Sequence, residues 1–208
     1  MATADRAPAD APLEFVPLSA DRMADLAQVF AAGGDAKWCW CASFRVRSRE
    51  FRKTRPADNR TTLTRAAQRA DRGTATTPGL VAYREGRPVG WVSLGPREDY
   101  PRLGHSRVLA PVDDQPVWSI VCFVVAKPER GQGIARALLG AAVDFARAQG
   151  ATMLEAYPLD PGQGRVGAAY AYCGSLRMFE DAGFRVVATR RMNRLTAPRP
   201  IVRLELRP

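Results

Sequence analysis

Two glycines separated by one residue stand where a hydrophobic run meets a helical pattern. The run Val117–Val125 precedes the segment 130–135, Arg-Gly-Gln-Gly-Ile-Ala, and residues 134–149 carry apolar side chains at helical spacing. Glycine has no Cβ, so the backbone can approach a ligand closely. The first turn of a helix adds unpaired N–H groups and the positive end of the helix dipole. This combination predicts a pyrophosphate-binding turn, to which Arg130 adds a permanent charge.

Other phosphate-binding motifs fit this turn less well. The dinucleotide-binding fingerprint needs a further glycine three residues after the second one, and Arg136 stands there. The P-loop needs a Gly-Lys-Ser/Thr sequence, which the chain lacks. A bare Gly-x-Gly is also found in simple flexible turns, so the motif needs a second, independent signal.

That second signal lies about fifty residues further along, in Met-Phe-Glu-Asp-Ala-Gly-Phe at 178–184. The two segments together resemble the GNAT superfamily of acetyl-CoA-dependent N-acetyltransferases. The turn matches the family's Gln/Arg-x-x-Gly-x-Gly/Ala signature, and 178–184 is similar to its later Leu-Tyr-Glu-type motif ending in Gly-Phe. The segments 38–41, 99–103 and 116–119 resemble one bacterial subgroup of that family.

The resemblance implies a mixed α/β (α+β) fold with a mostly antiparallel central sheet and helices on both faces. Two parallel strands, 117–125 and 153–157, would splay and admit the pantetheine arm of acetyl-CoA. We expect one domain over 13–208 behind a disordered tail, 1–12. The expected cofactor contacts are the backbone of one strand, the turn, and one aromatic of the later motif: Phe123, Val124, Val125, Arg130, Gly131, Gln132, Gly133, Ile134, Ala135 and Phe179.

Catalysis needs a neutral amine, a donor to the developing oxyanion and a proton for the departing thiolate. Many relatives take that proton from a tyrosine, but the matching position here is Phe179. Tyr172 is therefore our predicted acid, with Tyr170 as the alternative. Glu155, on the strand lining the gap, is our predicted base. The other candidates for the base are Asp99, the pair Asp113-Asp114 and the single histidine, His105.

The acceptor side is less defined by the sequence. By resemblance, the segment after the first helix helps wall the acceptor pocket, so Trp38 and Trp40 are assigned there with Asp99 and Tyr100. An aromatic face suits a cationic amine. The expected acceptor is a small primary amine such as a polyamine or antibiotic-like molecule. A protein or peptide amine, and a non-catalytic acyl-CoA sensor, are the alternatives, and relatives are often homodimers.

The composition limits the remaining functions. The formal net charge is +10, and ten basic residues stand against three acids between 45 and 72. Such a field attracts polyanions, but the stretch has only Phe51 for base stacking and no known nucleic-acid motif. Four cysteines with one histidine do not match a zinc site. No signal peptide or long apolar run is present, so we expect a cytoplasmic protein away from membranes, without metal or nucleic acid.

The elements that position these residues follow from periodicity and breakers. We predict a strand at 13–18, a helix after Ser19, a second helix from about Arg60 to Asp71, and a hairpin of strands at 79–83 and 88–94. A long irregular connection, 95–116, leads to the apolar strand. The helix 134–149, a strand at 153–157, a short helix at 175–182, the segment 183–187 and a last strand at 202–206 complete the order.

Overall fold

The computed structural model describes residues 11–32, 34, 36–160, 172–193 and 197–206. Its strands are β1 (Leu13–Pro17), β2 (Gly79–Arg84), β3 (Arg87–Pro96), β4 (Trp118–Val125), β5 (Met153–Ala156), β6 (Arg185–Arg190) and β7 (Arg199–Glu205). Its α-helices are α1 (Met23–Ala32), α2 (Ala36–Cys39), α3 (Ala42–Arg45), α4 (Ser48–Phe51), α5 (Pro56–Asp71), α6 (Pro101–Gly104), α7 (Ile134–Ala148) and α8 (Leu176–Glu180). Short 3-10 turns lie at Ala20–Arg22, Arg97–Asp99 and Lys127–Glu129.

The described strands form one sheet in the order β1-β2-β3-β4-β5-β7-β6. Every neighbouring pair is antiparallel except β4 and β5. The parallel pair is joined through α7, because parallel strands need a long crossover connection. The predicted fold class, a mixed and mostly antiparallel sheet with one parallel pair and helices, is confirmed.

Both faces of the sheet are covered, and each has its own apolar core. On the α1 face, residues of α1, α2 and α5 pack against alternate side chains of β2, β3 and β4. On the α7 face, α7 and Phe179 of α8 pack against the other side chains of those strands. Gly90 of β3 permits this contact, because a Cβ there would lie only 3.0 Å from Ile134 Cγ2 and from Leu138 Cδ1.

Two element predictions were wrong in detail. We expected Pro56 to interrupt the chain before a helix from about Arg60, but α5 begins at Pro56 itself. Proline suits the first helical position, where its missing N–H has no intrahelical partner anyway. We also expected 95–116 to be irregular, but it contains the 3-10 turn Arg97–Asp99 and the helix α6.

Several predictions lie wholly or partly outside the described residues. Of the tail 1–12, only residues 11 and 12 are described. Residues 161–171, which include Tyr170, lie outside them as well. Of the helices that are described, none combines the length and the hydrophobicity of a membrane span.

Candidate active site

The parallel strands β4 and β5 pair only at their beginnings. Trp118, Ser119 and Ile120 lie opposite Leu154, Glu155 and Ala156. Beyond Ile120, β4 continues to Val125 without a β5 partner among the described residues, and Leu159 instead bridges to Ser175 near α8. The space between β4 beyond Ile120 and the chain after β5 is called the strand gap below. It leaves one edge of the β4 backbone available to a ligand.

A β-bulge in β4 lies at the start of the strand gap. Ser93 of β3 faces Cys122 and Leu94 faces Ile120, so Val121 is an extra residue in β4. Consequently Val121 and Cys122 both face the α1 side, whereas Ile120 and Phe123 face α7. A bulge bends its strand and increases its twist, which accounts for the divergence of β4 from β5.

The segment 130–135, called the phosphate turn below, follows β4 and begins α7. Gly131 and Gly133 have φ of +79° and +76°, which L side chains rarely adopt. A Cβ built on either glycine would have no heavy atom within 4 Å, so the turn is an open cradle. A cavity of about 290 Å³ lies there, lined by the turn, Val125 and Met178 of α8. A phosphate group fits this cradle at a helix N-terminus.

A buried arginine from the β2–β3 hairpin forms hydrogen bonds with the phosphate turn and with the residue before it. Arg84 at the end of β2 is only 1% exposed. Its Nη1 donates to Glu129 Oε2 at 2.8 Å and to Gln132 Oε1 at 2.5 Å, one residue on either side of Arg130-Gly131. Arg84 was not among the predicted site residues, although a charge at the end of the apolar Leu-Val-Ala-Tyr run was a usable signal.

Phe179 lies where the family resemblance places the usual tyrosine, and it is a core residue. It is fully buried, and its ring centroid lies 6.1 Å from Phe123 and 5.1 Å from Phe184. Tyr172 is half-buried and packs against the α1-face core. Its hydroxyl oxygen would lie 3.6 Å from a Cβ on Gly34. The structure therefore places these two aromatic residues on opposite faces of the sheet.

Glu155 lies at the closed end of the strand gap, within a charged network. It is fully buried, its Oε1 accepts from Arg97 and from the Tyr157 hydroxyl, and its Oε2 accepts from Arg203 Nε at 2.8 Å. Arg203 also forms a bidentate pair with Asp113, at 2.6 and 3.0 Å. Burial, followed by the charge of Glu155, raises the pKa of Tyr157 well above its ordinary value.

These contacts occupy both oxygens of Glu155 with two arginines and a tyrosine. They favour a structural role, in which the carboxylate joins β5 to β7 and to the connection before β4. The catalytic role of Glu155 stays a prediction. Arg97 and Arg203 were not among the predicted site residues, because no local pattern shows that three distant segments meet at one carboxylate.

The residues predicted for the acceptor pocket are dispersed. Trp38 is 59% exposed, whereas Trp40 is buried against Phe30 with ring centroids 4.9 Å apart. Tyr100 is buried, and its hydroxyl contacts Arg45 and Ser93 at 3.2 Å each. Burial raises the pKa of Tyr100 to about 12. Asp99 lies beside it, with Oδ2 3.5 Å from a Cβ built on Gly95.

The four cysteines are free thiols. Cys122 is buried at the β4 bulge, and its pKa is raised well above the ordinary value by a hydrogen bond with Cys41 and by burial. A thiol held in the protonated form is a poor nucleophile. Within the described ranges, no three His, Cys, Asp or Glu side chains are arranged to hold a metal ion.

A splayed parallel strand pair followed by an open phosphate turn defines a coenzyme A-binding acyltransferase fold. The sequence model of the acetyltransferase (GNAT) family matches residues 40–174. The chain belongs to that family, and the resemblance to it is confirmed. The narrower resemblance to a bacterial subgroup stays a prediction.

Solved structures agree with this assignment at the level of the fold. A protein from Desulfovibrio desulfuricans, assigned to the GNAT family, is 18% identical over 94% of this chain and 100% of its own, with a TM-score of 0.59. YncA from Salmonella typhimurium, solved with its cofactor acetyl-CoA, is 18% identical over 94% of both chains, with a TM-score of 0.54. The NatC complex bound to Gag peptide and CoA contains a chain that is 14% identical over 94% of this chain and 99% of its own, with a TM-score of 0.54. No curated protein sequence matches the chain significantly.

Proposed function

We propose that this protein transfers an acetyl group from acetyl-CoA directly to the primary amine of a small molecule. The observation that carries the proposal is the strand gap, which opens at the β4 bulge and ends at the phosphate turn. A free strand edge and an open cradle at its far end suit a long ligand with an amide-containing arm and a pyrophosphate. Acetyl-CoA has both parts and supplies the activated acetyl thioester.

Different residues along the strand gap bind different parts of acetyl-CoA. The backbone of Phe123, Val124 and Val125 pairs with the pantetheine amides in a strand-like manner. The N–H groups of the phosphate turn, from Arg130 to Ala135, bind the pyrophosphate. Phe179 lines the gap from the α7 side through its contact with Phe123.

The amine approaches from the α1 face, where Tyr172 lies beside α1 and Trp38 is exposed. Tyr172 gives its proton to the departing thiolate. No acetyl-enzyme is needed, because a neutral amine can attack the thioester carbon directly. Water at the opening of the strand gap accepts the proton that the amine loses. The carboxylate of Glu155 is the alternative acceptor.

The experiment compares two glycine-to-alanine variants on the same helix. Gly133→Ala adds a Cβ to the cradle at a φ that costs about 1–2 kcal/mol for an L side chain, whereas Gly140→Ala adds one in the open middle of α7. We expect the acetyl-CoA Kd, measured by calorimetry, to rise about tenfold or more in Gly133→Ala. In Gly140→Ala it should stay within about twofold of wild type.

Thiol release with a panel of amines and peptides completes the experiment. Release that depends on an added amine supports acetyl transfer. Wild-type protein that does not bind acetyl-CoA would refute the proposal. Tight binding without release for every amine class would favour the acyl-CoA sensor instead.

A further inference from the structure

The α1 face of the sheet carries an arginine that the proposed transfer does not use. Arg102 of α6 is half-buried, and its Nη1 donates to the carbonyl oxygen of Ser43 at 3.2 Å. Its guanidinium lies 5.3 Å from the ring centroid of Phe44. Both partners belong to α3, so the arginine is fixed in position by neutral groups.

Arg102 differs from the most deeply buried arginines in lacking a carboxylate, and it shares the use of neutral partners with the half-buried Arg45 and Arg190. Arg84, Arg97 and Arg203 each form an ion pair with a glutamate that is less than a tenth exposed. Among the described residues, no Asp or Glu lies within ion-pair distance of Arg102. Burial is the main cause that lowers its pKa, and its charged or ionisable neighbours are Cys173, Arg199 and Cys39. An arginine in such a place is stabilised by an anion.

The core of the α1 face connects α6 with β4. Leu103, the residue after Arg102, belongs to the same apolar core as Cys122 at the β4 bulge. Arg199 at the start of β7 donates to Cys173 Sγ at 3.8 Å. Arg102 and Arg199 therefore lie on the acceptor side of the gap, across the sheet from α7 and α8.

The sequence around Arg199 is basic. Residues 182–204 contain six arginines and neither Asp nor Glu. Two of the acids that were candidates for the base, Asp113 and Glu155, both pair with Arg203. A polyamine would meet repulsion here, whereas an anionic group would be attracted.

We infer that the acceptor is an amine that also carries a carboxylate, as an α-amino acid does, and that Arg102 binds this carboxylate. The inference rests on the proposed acetyl transfer and specifies its substrate class. The planar guanidinium offers two parallel N–H donors to a carboxylate, which fixes the orientation of the molecule as well as its charge. The amine of the same molecule then faces the acetyl end of the strand gap.

The test measures binding and turnover for matched acceptors. The common α-amino acids are compared with the amides of the same amino acids and with spermidine. Each is titrated by calorimetry into the protein saturated with CoA, and thiol release is followed with acetyl-CoA. The amide keeps the amine and side chain and loses only the negative charge. We expect at least one amino acid to bind and to be acetylated with a kcat/KM about tenfold or more above that of its amide.

Two variants assign this preference to Arg102. Arg102→Gln should raise KM for the amino acid about tenfold or more and abolish the preference over the amide, with the Kd for CoA within about twofold of wild type. Arg102→Lys keeps the charge without the planar donor pair and should recover only part of the loss. Arg147→Gln removes an exposed arginine of α7, across the sheet, and should leave the preference intact. Thermal unfolding confirms that each variant is folded.

The outcomes separate this inference from the proposed function. Wild-type protein that fails to bind acetyl-CoA refutes the transfer itself. If the protein binds acetyl-CoA but acetylates amides, peptides or spermidine as well as or better than amino acids, only the inference of a carboxylate-bearing acceptor is refuted. That inference is also refuted if no amino acid binds the CoA complex, or if Arg102→Gln keeps the preference for the amino acid over its amide.

Discussion

A single position, 179, shows how the site departs from the usual family pattern. The phenylalanine there has no proton to give, and it contributes its ring to an aromatic group with Phe123 and Phe184. A tyrosine hydroxyl in this fully buried position would need a hydrogen-bond partner. In the proposed transfer, the proton for the departing thiolate therefore comes from another group. Of the two tyrosines that we considered, only Tyr172 is among the described residues.

Replacing Tyr172 with Phe tests this assignment. General acid catalysis contributes about 10²–10⁴-fold to a rate, so we expect kcat to fall about a hundredfold with KM for acetyl-CoA nearly unchanged. The decline of kcat at high pH that marks a required acid should also disappear. Steady-state kinetics at saturating acetyl-CoA between pH 6 and 10 measure both effects.

Tyr83→Phe is the matched control for this variant. It removes a hydroxyl that donates to Asp25 Oδ2 at 2.8 Å on the α1 face, and it should keep wild-type kcat. A kcat for Tyr172→Phe within threefold of wild type, with the pH profile unchanged, would show that Tyr172 only packs.

At the scale of elements, the β2–β3 hairpin supports the phosphate turn. Arg84 ends β2, and its contacts with Glu129 and Gln132 connect the hairpin to the segment between β4 and α7. Both arginine and glutamate are almost fully buried, with side-chain exposures of 2% and 9%. A buried pair of this kind fixes geometry, and removing one partner leaves an uncompensated charge.

Arg84→Met should therefore weaken cofactor binding without changing the chemistry. We expect the acetyl-CoA Kd to rise about tenfold, kcat at saturation to stay near wild type, and the free energy of unfolding to fall by about 3 kcal/mol. Arg87→Met, an exposed arginine of the same hairpin, is the control.

A double variant separates positioning from stability. Arg84→Met with Glu129→Gln removes the buried charge along with its partner, so it should recover part of the lost stability but not the lost affinity. Recovery of both would mean that Arg84 affects the turn only through folding.

The elements were more predictable than the contacts between them. Periodic apolar positions and glycine breakers located β4, the phosphate turn and α7, because these signals act over neighbouring residues. The helices α2, α3 and α4 span only four residues each, too few to show a period. The network at Glu155 joins positions 97, 113, 157 and 203, and Arg102 owes its environment to α3 and the chain near Cys173. Such contacts depend on the tertiary fold, which no local pattern encodes.

For the whole molecule, the formal net charge of +10 predicts a net positive field around the protein. Arg130 of the phosphate turn is exposed, whereas Arg102 and Arg199 are half-buried. A field of this sign raises the rate at which an anionic ligand encounters the protein, and salt reduces that rate. Such a field attracts any polyanion. The salt dependence of acetyl-CoA binding therefore tests whether it attracts the cofactor.

We therefore expect the acetyl-CoA Kd to rise about tenfold when NaCl is raised from about 50 to about 500 mM, mostly through a slower association rate. Stopped-flow fluorescence and calorimetry at both salt concentrations measure this. Acetyl-pantetheine, which lacks the pyrophosphate and the nucleotide, should bind more weakly and with little salt dependence, because its binding relies on the uncharged β4 edge. If acetyl-pantetheine shows the same salt dependence, the field does not act through the phosphates.

Tight binding of double-stranded DNA at about 150 mM salt, lost in the presence of acetyl-CoA, would instead assign the basic surface to nucleic acid.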